Sequence, residues 1–123
     1  LHVRSRRQRQ MCIRDSCKPE LRNHTIETAG ILNKAGVPMC ICTDHPVVPE
    51  QYLPLSAGLA VRGGLDRNEA LKAITIYPAV ITGIADRVGS IEVGKDADIV
   101  IFSGDPLSVS DTPDTVIING KVI

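Results

Sequence analysis

The residues able to do chemistry lie at one abrupt change of polarity. The apolar run at residues 37–43 (VPMCICT) gives way at once to Asp44, His45 and Pro46. An aspartate placed there can serve as a general base, or it can open a turn or cap the next helix. His45 can orient a neighbouring ligand or touch a substrate, and it can equally be an ordinary loop histidine. Cys40 and Cys42 lie on the same face of a strand as Asp44 by simple alternation. Nothing basic near them would lower a thiol pKa, so packing is the role their surroundings favour. Two cysteines two apart on one strand do not readily pair with each other. Zinc frameworks repeat their cysteine pairs, and neither the C-x4-C of Cys12 and Cys17 nor the C-x-C of Cys40 and Cys42 recurs. Asp96 and Asp98 look like metal carboxylates at first sight, but GKDAD reads better as a turn with aspartate side chains bonding the backbone.

The elements that must position Asp44 follow from periodicity. A helix capped at Asn23 or Thr28 and closed by Gly36 carries Ile31, Leu32 and Ala35 on its apolar stripe. The run 37–43 suits a strand buried on both faces, as in a parallel sheet. Leu53, Ala57, Ala60 and Val61 mark a second helix, ended by Gly63 and Gly64. Asp66 to Glu69 resembles an acidic capping box opening a third helix, with Ala70, Ala73, Ile74 and Tyr77 on one face. Pro78 starts a short fourth helix that Gly83 closes. The period then changes, and residues 88–93, 98–102, 115–119 and 121–123 read as short strands. Asn119-Gly120 is the preferred pair for a two-residue hairpin turn.

Composition narrows the function classes. The chain has 123 residues, 43% hydrophobic and 23% charged, which suits one soluble domain with a core. One Phe, two Tyr and no Trp leave no stacking platform for single-stranded nucleic acid. The formal charge of zero hides five arginines within the first 15 residues. From residue 16 onward nine bases face thirteen acids, a net charge of −4, which does not suit phosphate backbones. No apolar run approaches a membrane span, and no signal pattern is present. A cytoplasmic protein with reduced cysteines is the expectation. Residues 1–16 show no periodicity and are read as a disordered or non-native segment. The other reading of that segment is a basic arm on a non-catalytic α/β binding module.

One parallel-type strand cannot satisfy its backbone alone, and barrel enzymes keep their chemistry at the C-terminal ends of such strands. A full barrel takes about 250 residues, so residues 17–84 read as the tail of a larger domain. The ordered series TDHP (43–46), ALKAIT (70–75), YPA (77–79), RVGSIEVGKDADIV (87–100) and VIINGKV (116–122) resembles the C-terminal end of metal-dependent amidohydrolases, with imidazolonepropionase-like members the nearest in look.

That resemblance implies an α/β fold: the C-terminal part of a (β/α)8 TIM-type barrel over 17–87, then strands of a small composite β-sandwich over 88–123. It implies a hydrolase of non-peptide carbon–nitrogen bonds that uses a divalent metal, zinc first among them. Asp44 matches the family's eighth-strand aspartate, a metal ligand and general base toward metal-bound water. His45, Arg22 and Asn23 fall on the substrate side, among other polar groups of the rim. The implied partner is a small molecule, with neither nucleic acid nor membrane, and self-association of like subunits is compatible with it. The family also carries an H-x-H pair and further single histidines. This chain has only His2, His24 and His45. One aspartate cannot hold a catalytic metal, so the chain is expected to be inactive by itself.

Overall fold

The computed structural model describes Arg9–Gln10 and residues 25–123, and along residues 39–43 burial alternates with the period of a strand. Met39 and Ile41, each 4% exposed, and Thr43 at 7% point inward, while Cys40 and Cys42 are half-buried. Strand β1 (Arg9–Gln10) pairs in parallel with strand β2 (Cys40–Ile41), Arg9 opposite Cys40 and Gln10 opposite Ile41. β1 lies in the stretch that composition set apart from the fold. A ladder bonds through backbone groups, so it does not require an apolar side-chain pattern. The expected strand buried on both faces is met on one. The described residues cover the Cys40 and Cys42 face only partly.

Helices back the buried face. α1 (Thr28–Lys34) precedes β2, and a 3-10 turn (Glu50–Tyr52) leads into α2 (Leu53–Arg62), α3 (Arg67–Ile74) and α4 (Ile76–Thr82). Ala29, Ala57, Ala60, Ala70 and Ala73 meet Met39, Ile41, Leu65 and Leu107 in one core. Alanines let helix backbones approach closely, since interaxial distance follows side-chain size at the contact. α1 starts at Thr28, but its N-cap is Glu27 and no side chain caps it, so the expected Thr28 cap does not form. Thr28 Oγ1 instead accepts the Thr25 backbone N–H. The alternative cap, Asn23, lies outside the described residues.

The capping box at α3 is half correct. Asp66 Oδ1 accepts from the N–H groups of Asn68 (2.9 Å) and Glu69 (3.1 Å), as an N-cap should. Glu69 does not reach back. Its carboxylate accepts instead from Tyr77 OH (2.6 Å) and Asn33 Nδ2 (3.1 Å), and pairs with Lys72 Nζ (2.8 Å). One half-buried carboxylate therefore ties α1, α3 and α4 together. α4 begins two residues before Pro78, which sits in the first turn where its missing N–H costs nothing, and Gly83 closes it at φ 80.

The C-terminal third is a three-stranded antiparallel sheet of β3 (Ile99–Ile101), β4 (Thr115–Ile118) and β5 (Lys121–Val122). Ile99 lies opposite Ile117, and Ile118 opposite Lys121. Asn119 and Gly120, at φ 50 and 74, make the expected turn. The strand expected at 88–93 does not form. Gly89 sits at φ 95, where a Cβ would lie 2.8 Å from that of Ala79. The Arg87–Asp96 ion pair (2.7 Å) and the Asp96 N–H bond to Arg87 O (2.8 Å) close residues 87–96 into a loop. With its ends tied together, the segment has no strand neighbour to pair with.

A strap from this sheet reaches back to the helices. Leu107 is buried in the helical core, and Arg67 pairs with Asp105 at 2.8 Å. Gly58 of α2 has no room for a side chain, because a Cβ would stand 2.5 Å from the Leu107 carbonyl oxygen. Gly58→Ala should therefore push the strap off α2 and destabilise by about 1–3 kcal/mol. The measurable sign is faster amide hydrogen exchange over residues 105–108, and unchanged exchange would contradict this packing.

Charge at Glu69 carries a pH dependence. Hydrogen bonds from Lys72 and then Tyr77 hold its carboxyl below the ordinary 4.5, against the opposing effect of burial. The same contact with Glu69 raises Tyr77 above its ordinary 10.0. A carboxylate depressed on folding contributes stability that is complete above its unfolded pKa and is lost as pH falls through the folded one. Tyr77 contributes below its unfolded pKa and loses its share as pH rises through the folded value. Glu69→Gln keeps the acceptor oxygen but removes the charge. The stability gap between wild type and Glu69→Gln should narrow as pH drops below 4.5, read from denaturant unfolding at each pH.

Candidate active site

Asp44 lies past the C-terminal end of β2, after Cys42 and Thr43. It is exposed, and its backbone is left-handed at φ 58. Aspartate is among the few side chains that tolerate this region, and residues held there concentrate at functional sites. Its carbonyl accepts the Val47 N–H at 2.9 Å, and the intervening His45–Pro46 peptide is cis. Residues 44–47 are all exposed, so the turn lifts Asp44 and His45 clear of the packed helix side. Burial alternates through Thr43, and the turn takes over at Asp44. The turn therefore sets the direction of the carboxylate.

The other sequence candidates separate cleanly. Cys40 and Cys42 stand half-buried on the face away from Met39 and Ile41. Arg22 and Asn23 lie outside the described residues, as do Cys12, Cys17 and His24. Asp96 is engaged by Arg87, and Asp98 Oδ1 accepts the Asn119 N–H at 2.8 Å. Neither makes the local turn bond that GKDAD suggested: their partners lie nine and 21 residues away in the chain. Among the described residues, no three His, Cys, Asp or Glu side chains converge closely enough to hold a metal ion. Asp44 offers one carboxylate where a catalytic metal takes three or more protein ligands. The described residues alone do not fit a metal centre.

Sequence reasoning did not see the Glu69 cluster. The i, i+3 spacing of Glu69 and Lys72 was visible, but Tyr77 and Asn33 come from other helices. A groove of about 340 Å³ lies beside it, lined by Asn33, Val37, Met39, Tyr77, Val80 and Ile81 among others. Its strand residues come from the start of the 37–43 run, whereas Asp44 stands past the end. The groove and the carboxylate are separate features. Among the described residues, no helix is long and apolar enough to cross a membrane.

Known proteins match this arrangement. A model of the amidohydrolase family matches residues 3–123. An imidazolonepropionase of Geobacillus kaustophilus is 46% identical over 72 residues, which is 56% of this chain and 17% of that protein. The crystal structure of an amidohydrolase from Thermotoga maritima superposes with a TM-score of 0.81 at 42% identity, covering 86% of this chain and 28% of that one. A Xaa-Pro dipeptidase solved with methionine in its active site gives 0.69 at 27% identity, over 80% of this chain and 25% of its own. The chain thus spans a minor part of each relative. The family match over nearly all its residues and the shared fold at 42% identity agree, and this chain belongs to the amidohydrolase family.

Proposed function

We propose that this chain is the C-terminal part of a metal-dependent hydrolase that cleaves carbon–nitrogen bonds other than peptide bonds in small molecules. The observation that carries the reading is Asp44, a carboxylate held in a left-handed turn at the C-terminal end of a parallel strand whose other side is packed with helices. Active sites of (β/α)8 enzymes are built at that end. The imidazolonepropionase likeness, at 46% identity, outweighs the dipeptidase likeness at 27%, which favours a non-peptide bond.

In this reading Asp44 is one ligand of a divalent-metal site, zinc by preference, that residues outside this chain complete. Its carboxylate removes a proton from the attacking water and can return it to the leaving nitrogen. His45, on the same exposed turn, contacts substrate, with Arg22 and Asn23 on the same rim. Residues 17–87 are barrel, with Arg9–Gln10 beside them through the ladder to β2, and 88–123 supply the sandwich strands β3 to β5. The sheet supports the last point. Ile99, Ile101, Ile117 and Val122 share one face with Thr115, and Val100, Val116 and Ile118 the other with Lys121, so both sides are mostly apolar, as in a layer meant to be covered. Location in the cytoplasm fits the same reading. The rival, a binding module with a basic arm, rests on residues 1–16 and gains no support from the described residues.

The test uses the full-length protein that carries this segment. Asp44→Asn should lower kcat by about 100-fold to 10,000-fold while leaving the circular dichroism spectrum unchanged. Dialysis against a chelator should abolish turnover and zinc should restore it. The 123-residue chain alone should turn over nothing, with or without metal. Retention of full activity by Asp44→Asn would overturn the assignment.

A further inference from the structure

The tip of the C-terminal hairpin lies apart from the Asp44 site and carries chemistry of its own. Asn119 is exposed and is followed by glycine. Glycine leaves the backbone nitrogen uncrowded, because it has no Cβ beside it. Asn33 and Asn68 precede Lys34 and Glu69, whose side chains crowd the equivalent nitrogen, and Asn33 also donates to Glu69. Two hydrogen bonds hold the Asn119 turn. The Asn119 N–H donates to Asp98 Oδ1 at 2.8 Å, and the Gly120 N–H donates to Ala97 O at 3.0 Å.

We propose that Asn119 is a site of spontaneous deamidation that the Ala97 and Asp98 clamp keeps closed in the folded chain. The Gly120 nitrogen attacks Asn119 Cγ, forming an N–C bond as the Cγ–Nδ2 bond breaks. The amide proton departs with the side-chain nitrogen as ammonia, leaving a cyclic imide. Water then opens the ring at either carbonyl, giving aspartate or isoaspartate. While its N–H is bonded to Ala97 O, the Gly120 nitrogen keeps its proton and is held in the turn, so that bond must open before it attacks Cγ. Conversion places a second carboxylate beside Asp98. In the isoaspartate product it also adds a carbon to the backbone, which breaks the pairing of Ile118 with Lys121. The modification would therefore open the last hairpin of the sheet.

Peptide mass mapping of the whole chain at mildly alkaline pH, native and in guanidinium chloride, tests this. In denaturant, Asn119 should be lost fastest among the asparagines. In the native chain it should be lost about tenfold more slowly than in denaturant, as two modest hydrogen bonds allow. Asp98→Ala should speed the native reaction several-fold, and Asp98→Asn, which keeps an acceptor oxygen, should leave it near wild type. Equal rates with and without denaturant, or no lead of Asn119 over Asn33 and Asn68 in denaturant, would overturn the proposal. Should Asp98→Ala lose its fold, exchange of the Gly120 amide in the wild-type chain decides. Protection supports the clamp, and exchange at the free-peptide rate refutes it.

Discussion

Met39 and Ile41 share one core with alanines of α1, α2 and α3, ringed by larger side chains such as Leu53, Ile74 and Tyr77, and the position of β2 depends on that contact. Alanine brings a helix backbone near the strand, whereas leucine would hold it off by the length of a side chain. A strand pinned so closely on one side has a defined end. That end is where the chain turns left-handed at Asp44 and lifts a carboxylate into the open. The chemistry proposed for Asp44 thus depends on small residues that have no chemistry of their own.

Two polar devices complete the frame. Glu69 gathers donors from three helices at once, and its partly shielded position makes each of those bonds matter more than a fully solvated one would. The strap ending at Leu107 does the equivalent job for the sheet, seating one leucine among the alanines and one ion pair on the rim. The ion pair is half exposed and contributes little in water. The buried leucine carries most of the attachment.

The candidate site was legible in part, for reasons specific to its residues. The polarity jump at TDHP marked Asp44, because an apolar run can end only where the chain leaves the core. The left-handed backbone there was not legible, since aspartate permits that conformation without requiring it. Asp96 and Asp98 were rightly kept out of a metal site, but the local turn bonds expected of them do not form, because Arg87 and the Asn119 backbone reach them only once the chain has folded. Glu69 was read as a capping residue and became a hub. The helix-start pattern is local, whereas Tyr77 and Asn33 reach it only after the helices pack.

The sequence by itself determined the positions of the helices, the Asn-Gly hairpin, the strands it joins and the resemblance to amidohydrolases. Each is written in short-range spacing, where propensity and turn chemistry act within a few residues. The buried face of α1 was not among them: Ala29 and Gly30 pack there, and the expected Ile31 and Ala35 are exposed. Tertiary structure decided the rest: which face of residues 37–43 is buried, that residues 88–93 close into a loop, and that Arg9–Gln10 supply a neighbour for β2. These depend on which distant backbone groups find one another. Pairing of that kind is a property of the folded chain, and residue order encodes it only through the packing it allows.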